Sequence, residues 1–267
     1  MTLYIVGTPI GNLEDITLRA LRVLREVSLI AAENTRKAGT LLSHFQITTP
    51  VTSYYEGNER RRIPEILAAL ERGDVALISE AGMPGVSDPG YPLIAAAAER
   101  GVPIVPIPGP SAHTAALVVS GLPTDQFLFA GFLPRKHSDD ALRALATIRA
   151  TLVFYAAPHR LEHTLAAMHE VLGNRAIALC RELTKLYEEV WRGDLEGAQA
   201  WVASHPPRGE YTLVVAGAVE DRAAWDERRV RTALAECLER GLSRSQAARE
   251  VASLAGWDRR RVYDLGG

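Results

Sequence analysis

The stretch from Ile78 to Tyr91 constrains the fold more than any other part of the chain. An apolar run, Val75 to Ile78, leads into a segment with three glycines and two prolines, and a helical pattern starts at Tyr91. Glycine lets backbone amides approach a ligand closely, and proline stiffens a loop. A strand that opens into such a loop before a helix is where α/β sheets bind ligands. A plain crossover turn is the alternative.

The same alternation of strand and helix organises the rest of the chain. Five apolar strands alternate with helices over residues 1–121, which predicts an α/β domain with a parallel five-stranded sheet. Residues 122–221 have a hairpin-like spacing that predicts a second α/β domain with a mixed sheet. Residues 222–267 predict a small helical module that resembles a helix-turn-helix unit.

The helical module carries the basic surplus of the chain. Residues 222–267 contain ten arginines and no lysine against seven acidic residues, a net charge of +3, although the whole chain has −2. Arginine binds phosphates in a bidentate manner, so an RNA-contacting module is one reading. A solvated or dimer-packing tail is the other.

Several classes of protein are disfavoured by absent patterns. Cys180 and Cys237 are too few and too far apart for a zinc site or a disulfide framework, which suggests a reducing, cytoplasmic setting. No apolar run reaches the ~18 residues of a membrane span. The chain has no phosphate-binding glycine-lysine loop, no dinucleotide glycine motif, no nucleophile elbow and no histidine pair with zinc spacing. We therefore expect no metal and no membrane association, and the seven scattered histidines predict no site.

Eight short segments, in order along the chain, carry a resemblance. They are Gly7–Thr17, Ala32–Arg36, Ser79–Tyr91, Pro106–Ala112, Gly131–Lys136, Phe154–Arg160, Arg181–Lys185 and Gly209–Val215. Together they resemble the tetrapyrrole methylase-like family, and within it the bacterial branch of 16S rRNA cytidine 2′-O-methyltransferases. The resemblance spans almost the whole chain, including the helical module.

The resemblance implies a fold, a cofactor and a partner. It implies two α/β domains with S-adenosylmethionine (SAM) in the cleft between them, a homodimer, and methylation of the ribose 2′-hydroxyl of a decoding-site cytidine in the 16S rRNA of the 30S subunit. The family's cofactor contacts fall on positions from both halves of the chain. These are Pro9, Ala81, Gly82, Met83, Val86, Ser111, Ala112, Tyr155, Ala156, Leu183, Tyr211 and Thr212.

Four positions depart from the pattern of the family. Ala156 replaces a usual acid, Asn34 and Glu80 each replace a usual Asp, and Met83 replaces a usual Thr. We expect these changes to alter cofactor binding rather than abolish it, because backbone groups make many of the contacts to the cofactor.

The reaction is expected to be an in-line displacement in which a ribose oxygen attacks a methyl group on a sulfonium. The hydroxyl must lose its proton, and the candidate groups at strand ends near the cleft are Glu33, Arg36, Asp88, Glu182 and Lys185. Among them, two acid-base pairs three residues apart favour Arg36 and Lys185 as orienting groups, with Glu33 or Glu182 as base. The same spacing also suits structural ion pairs. Asp88 is expected to cap the helix that follows it.

Clusters of cationic side chains predict a path for RNA. The candidates are Arg135, Lys136, Arg160, Arg259, Arg260 and Arg261. Two other functions stay open: methylation of a tetrapyrrole or another small metabolite, and a non-catalytic SAM-binding module in ribosome assembly.

Overall fold

The computed structural model describes residues 1–219 and 225–266. The chain divides into two compact units, Met1–Gly217 and Ala218–Gly267. The predicted boundary at residues 221 and 222 lies outside the described residues. The predicted division at residue 121 falls within the first unit, which contains two sheets and is described first.

The first sheet is parallel, as predicted. Its strand order is β3-β2-β4-β1-β5, and every pair is parallel. The strands are β1 Leu3–Val6, β2 Leu29–Ala32, β3 Val51–Ser53, β4 Val75–Ile78 and β5 Ile104–Ile107. The helices are α1 Leu18–Glu26, α2 Thr35–His44, α3 Glu59–Leu70, α4 Tyr91–Glu99 and α5 Ala112–Val119.

The alternation of side chains along β4 explains why both faces of this sheet are covered. Ala76 and Ile78 pack in the core formed with α1 and α2, whereas Val75 and Leu77 pack in the core formed with α3 and α4. All four residues are buried, as expected of a central strand in a parallel sheet. The carboxyl ends of β1, β4 and β5 therefore meet at one edge, where the three following loops begin.

The second sheet is mixed, as predicted. Its order is β6-β7-β10-β8-β9, with β6 and β7 parallel and the other pairs antiparallel. The strands are β6 Phe127–Phe132, β7 Thr151–Ala156, β8 Ala176–Arg181, β9 Glu189–Asp194 and β10 Tyr211–Val215. Helices α6 Ser138–Leu145, α7 Leu161–Leu172 and α8 Leu195–Ser204 contribute to the core on one face.

Helix α5 covers the other face of the second sheet and so joins the two sheets. Its buried residues Ala116 and Leu117 share an apolar cluster with Val153, Ala178 and Val214, one from each of the three central strands. The end of α5 is held by the Arg192 guanidinium, which donates to the Ser120 carbonyl over 3.1 Å. The two sheets thus form one packed body with α5 between them.

The second unit contains three short helices around a core of its own. They are α9 Glu227–Glu239, α10 Arg244–Ala255 and α11 Arg259–Leu265. The side chains of Asp226, Ser243 and Asp258 each accept a backbone N–H group at a helix start. In the described part of the chain, no helix is both long enough and apolar enough to cross a membrane.

Candidate active site

A cavity of about 290 Å³ lies where the loops after β1, β4 and β5 face the ends of the central strands of the second sheet. Residues from both sheets form its wall. They are Ile10, Ala81, Gly82, Met83, Val86, Asp88, Ser111, Ala112, His113, Phe132, Tyr155, Ala156, Ala157, Pro158, Cys180, Leu183, Glu210, Tyr211 and Thr212.

Close backbone packing builds the wall on the side of the first sheet. Thr8 and Gly82 exchange two backbone hydrogen bonds, of 2.9 and 3.0 Å. Gly82 has a φ of 81°, a conformation that favours glycine. A Cβ on Gly109 would lie 2.9 Å from the Gly7 carbonyl oxygen, so these two loops touch through their main chains. At these positions glycine allows one loop to approach another closely.

Side chains link this wall to the second sheet. The Ser111 hydroxyl lies 3.0 Å from Nδ1 of His113, which lies 3.4 Å from the Tyr155 hydroxyl on β7. Burial lowers the pKa of His113 and raises that of Tyr155. Both groups are therefore uncharged at neutral pH. A buried thiol, Cys180, completes this side, and burial raises its pKa to about 12.

Asp88 is predicted from the sequence to cap α4, but it lies elsewhere in the structure. Helix α4 begins at Tyr91. Its N-cap is Gly90, which has a φ of 154°, and no side chain accepts a hydrogen bond there. The predicted role of Asp88 as the cap is therefore wrong. The half-buried carboxylate lines the cavity instead. Burial, followed by the negative charge of Glu33, raises its pKa to about 6.

The positions around Glu80 form a polar cluster beside the cavity. The Glu80 carboxylate accepts from Asn34 Nδ2 and from Lys37 Nζ, each over 2.6 Å, and its backbone N–H donates to Glu33 over 2.9 Å. Asn34 also caps α2 by accepting the N–H groups of Arg36 and Lys37. Two of the departures from the family pattern, Asn34 and Glu80, are thus direct partners.

The segment Arg181–Lys185 forms an ion-paired clasp. Lys185 Nζ lies 2.8 Å from Glu182 and 3.0 Å from Glu210, and a Cβ on Gly11 would lie 2.3 Å from the Lys185 side chain. The clasp therefore touches the first loop. Burial opposes ionisation of Glu182, but hydrogen bonds from Lys185 and from the Glu210 backbone outweigh it and lower the pKa. Glu182 and Thr184 have φ values of 48° and 67°, which are strained for residues with a side chain.

The structure brings together most of the predicted cofactor positions. Eleven of the twelve line the cavity; Pro9 does not, and its neighbour Ile10 takes that place. The four predicted catalytic residues lie outside the wall. Glu33 is bonded to the Glu80 backbone, Arg36 is exposed, and Glu182 and Lys185 belong to the clasp.

The sequence reading missed several wall residues. They are Ile10, His113, Phe132, Ala157, Pro158, Cys180 and Glu210. All but Cys180 lie within the eight motifs or directly after one, and that adjacency was the available signal. His113 directly follows a motif residue and is the histidine that lines the cavity among the described residues.

The predicted RNA-contacting residues have different surroundings. Arg135 and Lys136 are exposed in the loop after β6. The Arg160 guanidinium is used internally, since it donates to the Leu133 and Pro134 carbonyls over 2.9 and 3.0 Å. In the second unit, Arg259 donates to Ser245 over 2.8 Å, and Arg261 lies 4.0 Å above the Trp257 ring.

The charge of the cavity wall restricts the ligand. Among the described residues no Arg or Lys lines the cavity, whereas the acidic residues Asp88 and Glu210 do, and Glu210 is paired with Lys185. A phosphate-rich ligand wants cationic donors, but a positively charged ligand with apolar parts suits this wall. Within residues 1–219 and 225–266, no group of three His, Cys, Asp or Glu side chains is placed to hold a metal ion.

Comparison with known proteins identifies the class. The profile of the family Tetrapyrrole (Corrin/Porphyrin) Methylases matches residues 2–199. The chain belongs to this family and is a methyltransferase whose methyl donor is S-adenosylmethionine. A donor with a sulfonium charge fits the wall just described.

Individual relatives narrow the comparison. The chain is 48% identical to the ribosomal RNA small subunit methyltransferase I of Synechocystis sp., over 98% of this chain and 96% of that protein. It is 42% identical to the protein of the same name from Bacillus subtilis, over 98% of this chain and 92% of that protein.

Solved structures support the fold. The uroporphyrin-III-C-methyltransferase of Thermus thermophilus is 25% identical, with a TM-score of 0.59 over 80% of this chain and 94% of that chain. A diphthine synthase is 18% identical, with a TM-score of 0.65 over 81% of this chain and 90% of that chain, which is evidence for the fold alone.

Proposed function

We propose that this chain transfers a methyl group from SAM to the ribose 2′-hydroxyl of a decoding-site cytidine in 16S rRNA. The observation that carries the proposal is a cavity that no Arg or Lys of the described residues lines and whose wall contains the half-buried Asp88. The names of the relatives support ribosomal RNA as the substrate. The cytidine and its 2′-hydroxyl come from the resemblance of the eight segments.

We assign the orientation of the reacting atoms to the residues of the cavity wall. When bound, SAM supplies an electrophilic methyl group on a positively charged sulfur. We assign its binding to the eleven predicted positions that line the cavity, with Ile10 in place of Pro9. Orientation of the reacting atoms alone is worth up to ~7–11 kcal/mol of a barrier. Loops fixed by backbone hydrogen bonds, such as that between Thr8 and Gly82, are suited to supply it.

We assign the uptake of the hydroxyl proton to Asp88. As the oxygen–methyl bond forms and the methyl–sulfur bond breaks, the proton of the hydroxyl passes to the carboxylate. A pKa of about 6 keeps the group mostly ionised at neutral pH, yet more basic than an ordinary Asp. Glu33 and Glu182, the bases predicted from the sequence, are instead engaged with the Glu80 backbone and with Lys185.

Partners and location follow the resemblance. We propose that the chain acts on the 30S subunit, as a homodimer, in the cytoplasm, with Arg36 as an orienting group for RNA. The exposed Arg135 and Lys136 are the predicted cationic contacts best suited to phosphates, because Arg160 is already engaged with carbonyl groups.

Mapping of 16S rRNA by mass spectrometry tests the proposal. Ribosomes from cells that lack the protein should lose one ribose methyl group at a decoding-site cytidine, and purified protein with labelled SAM should restore it on isolated 30S subunits. An unchanged map would remove the substrate. Methylation of a porphyrinogen would favour a metabolite, and SAM binding without turnover would favour the assembly module.

A further inference from the structure

Phe132, the last residue of β6, has no task in the proposed function so far. Its side chain lines the cavity, yet 57% of the residue is exposed. Of the described wall residues, Val86 is the other large apolar one that is exposed, at 36%. The ring of Phe132 therefore adds little to the core, and one of its faces is available at the mouth of the cavity.

The ring is held in a fixed place. The register of β6 against β7 shifts between Phe129 and Gly131, and Gly131 has a φ of 64°. Such a bulge re-aims the side chain that follows it, and bulges are enriched beside active sites. A row of rings then supports Phe132. Its centroid is 5.4 Å from that of Tyr155, which is 5.0 Å from Phe129, which stacks on His113 at 4.5 Å.

The segment after Phe132 is also fixed and is cationic. Arg160 binds the Leu133 and Pro134 carbonyls, which holds the backbone of this loop. Arg135 and Lys136 follow directly and are exposed. An aromatic ring therefore stands at the cavity mouth, with two cations three and four residues further along an anchored loop.

We propose that Phe132 is the platform on which the base of the target nucleotide stacks, while Arg135 and Lys136 bind the adjoining phosphates. The inference rests on the proposed function. A nucleotide in folded RNA must be splayed out before its ribose reaches a cavity, and the base then loses its stacking neighbours. Aromatic side chains replace those neighbours in proteins that bind single-stranded nucleotides.

The test compares F132A with F132W and with F127A. Phe127 is a matched control, because it is the exposed first residue of the same strand, at 45%, and does not line the cavity. The assays are steady-state methyl transfer from labelled SAM to 30S subunits and calorimetric SAM binding. We expect F132A to raise the KM for 30S subunits about 5- to 150-fold, the range for loss of one stacked base. F132W should restore it, F127A should match the wild type, and SAM affinity should stay constant.

Each other outcome overturns the inference in a distinct way. If F132A leaves the KM for 30S subunits unchanged while the wild type is active, the platform is refuted and the proposed function stands. If F132A weakens SAM binding by the same factor, the ring belongs to the cofactor site. If the wild type transfers no methyl group to RNA, the proposed function fails and the platform fails with it.

Discussion

The two sides of the cavity are built by different means. The first sheet contributes glycine-rich loops that contact each other through the main chain, as at Thr8 and Gly82. The second sheet contributes side chains directly from paired strands, such as Tyr155 on β7 and Tyr211 on β10. Parallel strands end at a common edge and continue into loops, whereas antiparallel strands bring side chains from both directions to one place.

This difference sets how each side tolerates change. A main-chain contact cannot be relieved by rotation of a side chain, so one added carbon displaces the loop. A side-chain contact can adjust. We therefore expect substitutions on the first side to reduce activity and stability more than substitutions in the clasp of Arg181–Lys185. Three variants test that order.

The largest effect is expected for D88N, which alters the proposed proton acceptor on the first side of the cavity. Asparagine keeps the shape but does not take up a proton, so kcat on 30S subunits should fall about 10²- to 10⁴-fold. The wild-type kcat should decline as the pH drops through about 6, because the carboxylate becomes protonated, and D88N should lose that dependence. Steady-state rates between pH 5 and 8 measure both. The control E99Q changes an exposed acid on α4 and should act as wild type. An undiminished rate in D88N would exclude Asp88 as the proton acceptor.

The next effect is expected for G109A. The added Cβ would lie 2.9 Å from the Gly7 carbonyl oxygen, so the two loops must separate. We expect kcat/KM to fall on the order of 100-fold, as for a misplaced binding group. Unfolding should become about 1–3 kcal/mol easier, as for overpacking. The matched control is G39A in α2, where a Cβ meets no atom within 4 Å. Steady-state methyl transfer and chemical denaturation give the two numbers, and equal behaviour of both variants would contradict the main-chain contact.

The smallest effect is expected for E182Q in the clasp. Glu182 and Lys185 are partly buried, so loss of this ion pair should lower the unfolding free energy by about 1–2 kcal/mol. The control is E26Q in the exposed Arg22–Glu26 pair, which should lower it by under about 0.5 kcal/mol. Because the pKa of Glu182 is lowered, its contribution is present above the unfolded pKa of ~4.3 and is lost as the pH falls through the folded value. Denaturation at a series of pH values from 7 downward measures this. A difference that does not shrink anywhere in the series would mean that packing, not charge, holds the clasp.

Both sheets and most residues of the cavity wall could be predicted from the sequence. Buried runs such as Val75–Ile78 and recurrent glycine loops specify a parallel sheet by local pattern alone. Eleven of the positions that the family resemblance implies for the cofactor line the cavity, because the motifs that contain them lie at strand ends. These features depend on neighbours along the chain, which one sequence contains.

Contacts between distant segments were beyond the sequence. The spacing of Glu33–Arg36 equals that of Glu182–Lys185, yet only the second forms an ion pair among the described residues. Glu33 instead binds the backbone of Glu80 on the adjacent loop. For Asp88, the residue at the N-cap of α4 is Gly90, with a positive φ, so Asp88 does not cap that helix. In both cases a partner or a torsion from elsewhere in the fold determined the role of the side chain.

The strand order has a consequence for folding. Strand β1 lies between β4 and β5, which follow it much later in the chain, and the Thr8 hydroxyl reaches the Ser79 carbonyl across 71 positions. The first side of the cavity therefore cannot assemble until β5 has been synthesised and paired. Pairings this distant close large loops and slow folding. A ligand that binds only the completed cavity then stabilises the native state by mass action, so under the proposed function the methyl donor itself would favour completion of the sheet.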